Sequence, residues 1–268
     1  MNFGQELLKT LNEIRAKKPL VHNITNYVAA NFQANVLLSV GASPVMAHAE
    51  DEVEDMVLLS NALVVNTGTP SKAQINSMVK AIKRANALRK PVILDPVGVG
   101  ATKFRGEIIE TILGEGKIDV LRGNAGEILA IFGKSGKTKG VDSEAASGEA
   151  VSVGKELSQR YNCIVVVTGA VDYVINQEEI FECHNGTPLL SSVTGSGCAL
   201  SSLIGAFCAV SNNYAVASAL ALGFYGICAE LAQESSRGPG SFMVNFLDVL
   251  SNSDSELVSK RLKIYKRG

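Results

Sequence analysis

Val193-Thr194-Gly195-Ser196-Gly197-Cys198-Ala199-Leu200 sets a polar, glycine-bearing turn directly before a run of small apolar residues, Ala199 to Val210. The run reads as a helix. The first N–H groups of a helix lack intrahelical partners, and the helix dipole adds positive potential there. Gly195 and Gly197 let the backbone turn sharply and approach a ligand closely. The junction therefore suits a phosphate, with Cys198 at its mouth. An ordinary loop before a small-residue helix would look the same. The rest of the chain has to decide.

Working outward, short β-branched runs alternate with helical periodicity. Strands are expected at Pro19–His22, Ala42–Met46, Ala62–Asn66, Pro91–Leu94, Ile118–Leu121, Cys163–Val167 and Val171–Ile175, with Glu179–Cys183 as a further pairing strand. Helices are expected at Met1–Lys18, Ala29–Val40 (ended by Gly41), Glu50–Ser60, from Ser71 to about Leu88, Arg105–Leu113, Ala125–Phe132, Glu149–Tyr161 and near Ser241–Leu250. Such alternation implies one three-layer α/β/α domain over residues 1–268, with a mostly parallel central sheet and antiparallel edge strands. Gly133 to Gly148 reads as a polar, flexible interruption. The basic tail from Lys260 reads as a solvated end.

The bulk composition agrees. In 268 residues, 46% hydrophobic and 19% charged content calls for a sizeable core. A net charge of −1 argues against a nucleic-acid partner. Five scattered cysteines without paired spacing, and no signal peptide, read as reduced thiols in the cytoplasm. Tyr214 to Ala232 is about the length of a bilayer span, but its Ala, Ser and Gly content and the apolar helix in front of it suit a buried helix better. No membrane association is expected.

In sheets of this kind ligands bind outside the carboxyl ends of the strands. That rule gathers Asp95, then Arg122, Asn124 and Glu127, then Thr168 and Gly169, and the glycine turn onto one rim. Asp95 and Glu127 are hard oxygen ligands suited to Mg²⁺ that phosphate and water also hold. Equally, Asp95 could be a turn residue and Glu127 a helix-dipole partner. Arg122 suits a nucleotide phosphate, or a surface ion pair. Thr168 and Gly169 could hold a nucleotide or simply turn the chain. Other features carry no site. Gly136-Lys137-Thr138 lacks the earlier glycine of a phosphate loop, and Gly98-Val99-Gly100 lacks the third glycine of a dinucleotide fingerprint. The three histidines share no metal-ligand spacing, and His22 reads as structural.

Across most of its length the chain resembles the hydroxyethylthiazole kinases, thiamin-salvage members of the ribokinase-like superfamily. The resemblance rests on Pro19-Leu20-Val21-His22-Asn23-Ile24-Thr25-Asn26, Gly41-Ala42-Ser43-Pro44-Val45-Met46-Ala47, Leu94-Asp95-Pro96-Val97-Gly98-Val99-Gly100-Ala101-Thr102, Arg122-Gly123-Asn124-Ala125-Gly126-Glu127, Val167-Thr168-Gly169 and the opening stretch. It implies transfer of phosphate from ATP to the hydroxyl of 4-methyl-5-(2-hydroxyethyl)thiazole. It further implies that Met46, Gly195 and Asn26 bind the thiazole, and that Arg122, Thr168, Asn124 and Gly197 bind ATP. Asp95 and Glu127 would serve Mg²⁺, and a homotrimer would form each site at a subunit contact.

Cys198 stands where the wider superfamily usually places an aspartate base. A free thiol titrates near ~8.5, so a weak base and a slow enzyme are expected. Gly126 replaces an expected serine, which would loosen the start of its helix. The main alternative on this fold is an ATP- or ADP-dependent dehydratase of hydrated nicotinamide nucleotides, which would carry aspartate in the glycine turn. A non-catalytic nucleotide-binding regulator would have no need of Asp95, Glu127 and the whole anion turn.

Overall fold

The computed structural model describes residues 2–133, 144–252 and 255–267. The chain runs α1 (Phe3–Lys17), β1 (Leu20–Ile24), α2 (Ala30–Val40), β2 (Ser43–Val45), α3 (Val53–Leu59), β3 (Ala62–Asn66), α4 (Lys72–Ala87), β4 (Val92–Asp95), α5 (Lys103–Glu115), β5 (Val120–Asn124) and α6 (Ala125–Ile131). It continues with α7 (Glu144–Tyr161), β6 (Ile164–Thr168), β7 (Asp172–Asn176), β8 (Glu179–Cys183), α8 (Ser196–Ala209), α9 (Tyr214–Glu234), α10 (Pro239–Asn252), α11 (Ser255–Arg261) and β9 (Ile264–Arg267). Most of the expected Gly133–Gly148 interruption, with Gly136-Lys137-Thr138, lies outside the described residues.

One sheet orders the strands β2-β1-β3-β4-β5-β6-β7-β8-β9. Pairing is parallel from β2 to β6 and antiparallel from β6 to β9. The central strands bury both faces, and alternate residues feed two cores. Val21, Val64, Ile93 and Val166 join Leu203, Phe224 and Phe246 from α8, α9 and α10. Leu63, Val65, Leu94 and Val165 join residues of α3 to α7 on the other side. The α/β/α sandwich is as expected.

Local signals set several helix ends. The Ser71 hydroxyl accepts the Gln74 amide at 3.2 Å, and Gly41 closes α2 at φ 95°. The acidic run Glu50 to Glu52 precedes α3 rather than opening it, so the charges in its first turn are Glu54 and Asp55. Most of the long apolar α9 is buried between the sheet and its neighbouring helices, so its apolar surface is satisfied inside the protein.

Two expectations change. α8 starts at Ser196, three residues before the first apolar residue, so Cys198 lies in its first turn rather than before it. Helix geometry needs no apolar residue in the first turn, so hydrophobic periodicity misses it. The basic tail is not a solvated end. It forms β9, paired antiparallel with β8 from Cys183↔Ile264 to Ile180↔Arg267. Ile264 is buried, while Lys266 and Arg267 reach Glu179 and Glu182 outside. Charge on an exposed edge strand discourages pairing with another chain, which is why the strand resembles a tail in sequence.

α8 folds back over the middle of the sheet. A Cβ on Gly205 would lie 2.8 Å from Val64 Cγ2 and 3.2 Å from Val21 Cγ1, so glycine lets the helix lie directly on β1 and β3. Ile264→Ala is expected to cost about 2 kcal/mol or more of stability in urea unfolding, by loss of buried volume. An unchanged midpoint would mean that the last strand is not part of the folded core.

Candidate active site

The carboxyl ends of β1, β3, β4, β5 and β6 and the first turn of α8 meet at one rim. Gly195 caps α8 at φ 83°, a left-handed conformation suited to glycine. Its Cβ, if present, would lie 3.0 Å from Ala29 Cβ at the start of α2. Neither helix start has a side-chain cap. Ser196 N–H donates to Val193 O, and the following Gly197 and Cys198 amides have no intrahelical acceptor. They are free for an anion.

A chain of polar contacts crosses the rim from Cys198. Asn26 Nδ2 lies 3.5 Å from Cys198 Sγ and donates to Asn66 Oδ1 at 2.8 Å. Asn66 Nδ2 donates to Asp95 Oδ2 at 2.8 Å, and Ser201 Oγ donates to the same oxygen at 2.8 Å. Arg122 Nη1 stands 3.8 Å from Asp95 Oδ1, and Arg122 Nη2 donates to Thr168 Oγ1 at 2.7 Å. The Arg122 guanidinium also passes 3.1 Å from where a Gly197 Cβ would be, so glycine keeps that approach open. Of the expected residues, the structure thus brings together Asn26, Asp95, Arg122, Thr168, Gly195, Gly197 and Cys198.

The electrostatics follow from burial. Asp95 is fully buried, and burial pushes its carboxyl up to about 6 against the pull of Arg122. Burial and the nearby Asp95 charge raise the Cys198 thiol to about 11, while Asn66, Asn26 and Arg122 pull it back. The thiol is protonated at neutral pH. Asp172 is also raised to about 6 by burial and accepts the Gly169 amide at 2.9 Å.

Glu127 and Asn124 are arranged differently from the rest. Asn124 Oδ1 accepts the Glu127 amide and Glu127 Oε2 accepts the Asn124 amide, each at 2.9 Å, a reciprocal cap on α6. Glu127 Oε1 accepts the Gly98 amide at 2.9 Å. Both Glu127 oxygens therefore hold backbone, and the cap pins the helix start despite Gly126. No group of three metal-capable side chains occurs among the described residues. Asp95 Oδ1, in contrast, is buried and accepts no hydrogen bond. One buried carboxylate oxygen without a hydrogen-bond partner, beside unbonded helix amides, fits Mg²⁺ held mostly by phosphate and water, and does not fit a protein cage.

Met46 directly follows β2, the strand next to β1, and no hydrogen bond ties it to the Cys198 chain. The buried His22 Nε2 sits 2.6 Å from Ala47 O and fixes the segment that carries it. Sequence reasoning missed Asn66, Ser201 and Arg105. Asn66 ends a buried apolar strand, so the strand-end rule that found Asp95 could have found it. Arg105 donates to Thr67 O, Gly68 O and Val97 O at 2.6–2.8 Å and locks the loops after β3 and β4 together. Neither Arg105 nor Ser201 carries a signal of that role in the sequence.

Comparison with known proteins shows the family. A sequence model described as the hydroxyethylthiazole kinase family matches residues 11–256. A hydroxyethylthiazole kinase of Methanococcus maripaludis is 51% identical over 259 residues, covering 96% of this chain and 97% of that protein. The solved structure of a hydroxyethylthiazole kinase from Pyrococcus horikoshii superposes with a TM-score of 0.90 at 43% identity, over 98% of this chain and 100% of the other. A ribokinase-like superfamily protein from Enterococcus faecalis, 10% identical with a TM-score of 0.63 over 91% and 93% of the two chains, shares the fold. The chain belongs to the hydroxyethylthiazole kinase family.

Proposed function

We propose that this chain transfers the γ-phosphoryl group of ATP to the hydroxyl of 4-methyl-5-(2-hydroxyethyl)thiazole, giving ADP and the thiazole phosphate. The observation that carries the reading is the uncapped start of α8, set between Asn26 and Cys198 on one side and Arg122 and Thr168 on the other. Asn26 and Met46 hold the thiazole, and Gly195 lies beneath its hydroxyethyl arm. Arg122, Thr168, Asn124 and Gly197 hold ATP. The aspartate-bearing dehydratase reading is disfavoured by Cys198 in the glycine turn.

Phosphoryl transfer rests chiefly on positioning and on stabilising charge. The Gly197 and Cys198 amides face the migrating group, and Arg122 faces the phosphates. Mg²⁺ bound with ATP would neutralise charge on the phosphate oxygens, and Asp95, whose Oδ1 accepts no hydrogen bond, would hold it. Glu127 supports that arrangement by holding the Gly98 and Asn124 amides. Cys198 sits beside the acceptor hydroxyl; its thiolate form, a minor fraction at neutral pH, takes the hydroxyl proton as the bond to phosphorus forms and the bond from phosphorus to the ADP oxygen breaks.

Tyr27 and Val28, 73% and 64% exposed, form open apolar surface next to Asn26, with His48 against the Tyr27 ring. That surface supports a homotrimer with its sites at the contacts between copies. Five cysteines scattered along the chain, four of them buried, suit a reducing compartment such as the cytoplasm.

The direct test is ADP release with and without the thiazole alcohol and Mg²⁺. Release that does not depend on the alcohol would defeat the assignment. Cys198→Asp is expected to keep or raise kcat, and Cys198→Ala to lower it; an Ala variant as fast as wild type would remove Cys198 as the base. With the thiol raised to about 11, the thiolate fraction grows as pH rises from 7 to 10. In wild type kcat should therefore climb across that range, and in Cys198→Asp it should be flat. Glu127→Gln replaces a charged acceptor of two amides with a neutral one that cannot accept through its nitrogen. A stability loss of about 1–3 kcal/mol is expected even without ATP and Mg²⁺. A loss seen only with Mg²⁺·ATP would point to a metal role instead.

A further inference from the structure

We infer that Gln33 is a positioning residue for phosphoryl transfer, holding the Cys198 end of α8 against the connection between β1 and α2; the functional part of this inference rests on the role of Cys198 proposed above. Gln33 is fully buried on α2, beside Phe32, Val36 and Leu37. An amide in such surroundings is costly unless its hydrogen bonds are made. Gln33 makes them to site elements. Its Oε1 accepts from Thr25 Oγ1 at 2.7 Å, and its Nε2 donates to Cys198 O at 3.1 Å. Thr25 is held in turn, since its carbonyl accepts from Gln74 Nε2 at 2.8 Å.

The consequence is geometric. Cys198 is gripped twice from neighbouring segments: at its sulfur by Asn26 in the connection between β1 and α2, and at its carbonyl by Gln33 on α2. Ala29, between these two residues in sequence, packs against Gly195 at the cap of α8. Asn26, Ala29 and Gln33 thus set the rotation and depth of the first turn of α8, where both the anion-facing amides and the thiol reside. An apolar side chain of the same length would fill the space equally well, so packing alone does not call for glutamine here.

Gln33→Met keeps the length and removes both hydrogen bonds. Cys198 is half-buried whereas Cys163, Cys183, Cys208 and Cys228 are buried, so alkylation of the folded protein by iodoacetamide reports on Cys198, with Cys198→Ala giving the background. In Gln33→Met, alkylation should quicken about threefold or more, and kcat should fall roughly tenfold with KM for ATP changed less than about twofold. In a Cys198→Ala background the same substitution should lower kcat clearly less than tenfold, because the placed thiol is gone and only the effect on the amides is left. An unchanged alkylation rate, or the same tenfold loss in the Cys198→Ala background, overturns the inference. Thr25→Val, which frees the Gln33 amide to turn, should move alkylation in the same direction by a smaller factor and serves if Gln33→Met does not fold. If the wild-type chain does not phosphorylate the thiazole alcohol, the functional reading fails, while the alkylation result still decides whether Gln33 sets Cys198.

Discussion

A carboxylate without access to water is the constraint around which the rim is built. Removing an ion of that size from solvent costs several kcal/mol even after relaxation. Asp95 is buried completely, yet only one of its oxygens is satisfied within the protein, by Asn66 and Ser201. The other faces Arg122 at 3.8 Å, longer than a hydrogen bond. Asn66, Ser201 and Arg122 come from β3, α8 and β5, so supporting this one group requires three separate elements to stay in register. The electrostatic need and the fold are therefore the same requirement seen at two scales. An incompletely satisfied charge is tolerated where cationic or metal-bound phosphate chemistry will use it.

The fold meets that requirement by bringing α8 onto the sheet rather than leaving it beyond the antiparallel strands. Gly205 allows contact with Val21 and Val64, and Gly195 allows contact with Ala29. Between these two points the first turn of α8 has little freedom to shift. The apolar mass of α9 and α10 behind it, including Phe224, Phe242 and Phe246, supplies the burial that presses the helix into place. The helix start is thus fixed before any ligand arrives, which is what electrostatic stabilisation of a transferring group demands.

Much of this was legible in the sequence, for reasons that can be named. Asp95, Arg122 and Thr168 each follow a β-branched run, and parallel strands place such residues on one edge whatever their separation in the chain. The glycine spacing of the 193–200 stretch announced the tight turn at which α8 starts without a side-chain cap. What was not legible depended on partners distant in sequence. β9 reads as a charged tail because its pairing with β8 and the packing of Ile264 are tertiary. The grip of Gln33 on Cys198 spans 165 residues and leaves no periodic trace. Glu127 was ambiguous between a metal ligand and a helix-terminal group, and only the coordinates reveal its two oxygens on the Gly98 and Asn124 amides.

The same contacts explain how, on the mechanism proposed above, a weakly acidic thiol could serve at the reacting centre. A base must be ionised to accept a proton, and burial beside Asp95 works against ionisation of Cys198. Yet in phosphoryl transfer little of the barrier falls to the base, because charge accumulates on the phosphoryl oxygens. In the mechanism proposed above, amides at the start of α8 and the cationic Arg122 act on that charge directly, and Asp95 only through the Mg²⁺ it would hold. The site therefore invests its rigidity in the phosphate side of the reaction. On that proposal a residue of low basicity is enough on the alcohol side, provided it stays where the hydroxyl will be, and Asn26 in the connection between β1 and α2 and Gln33 on α2 supply that placement from outside the helix whose amides would face the phosphate.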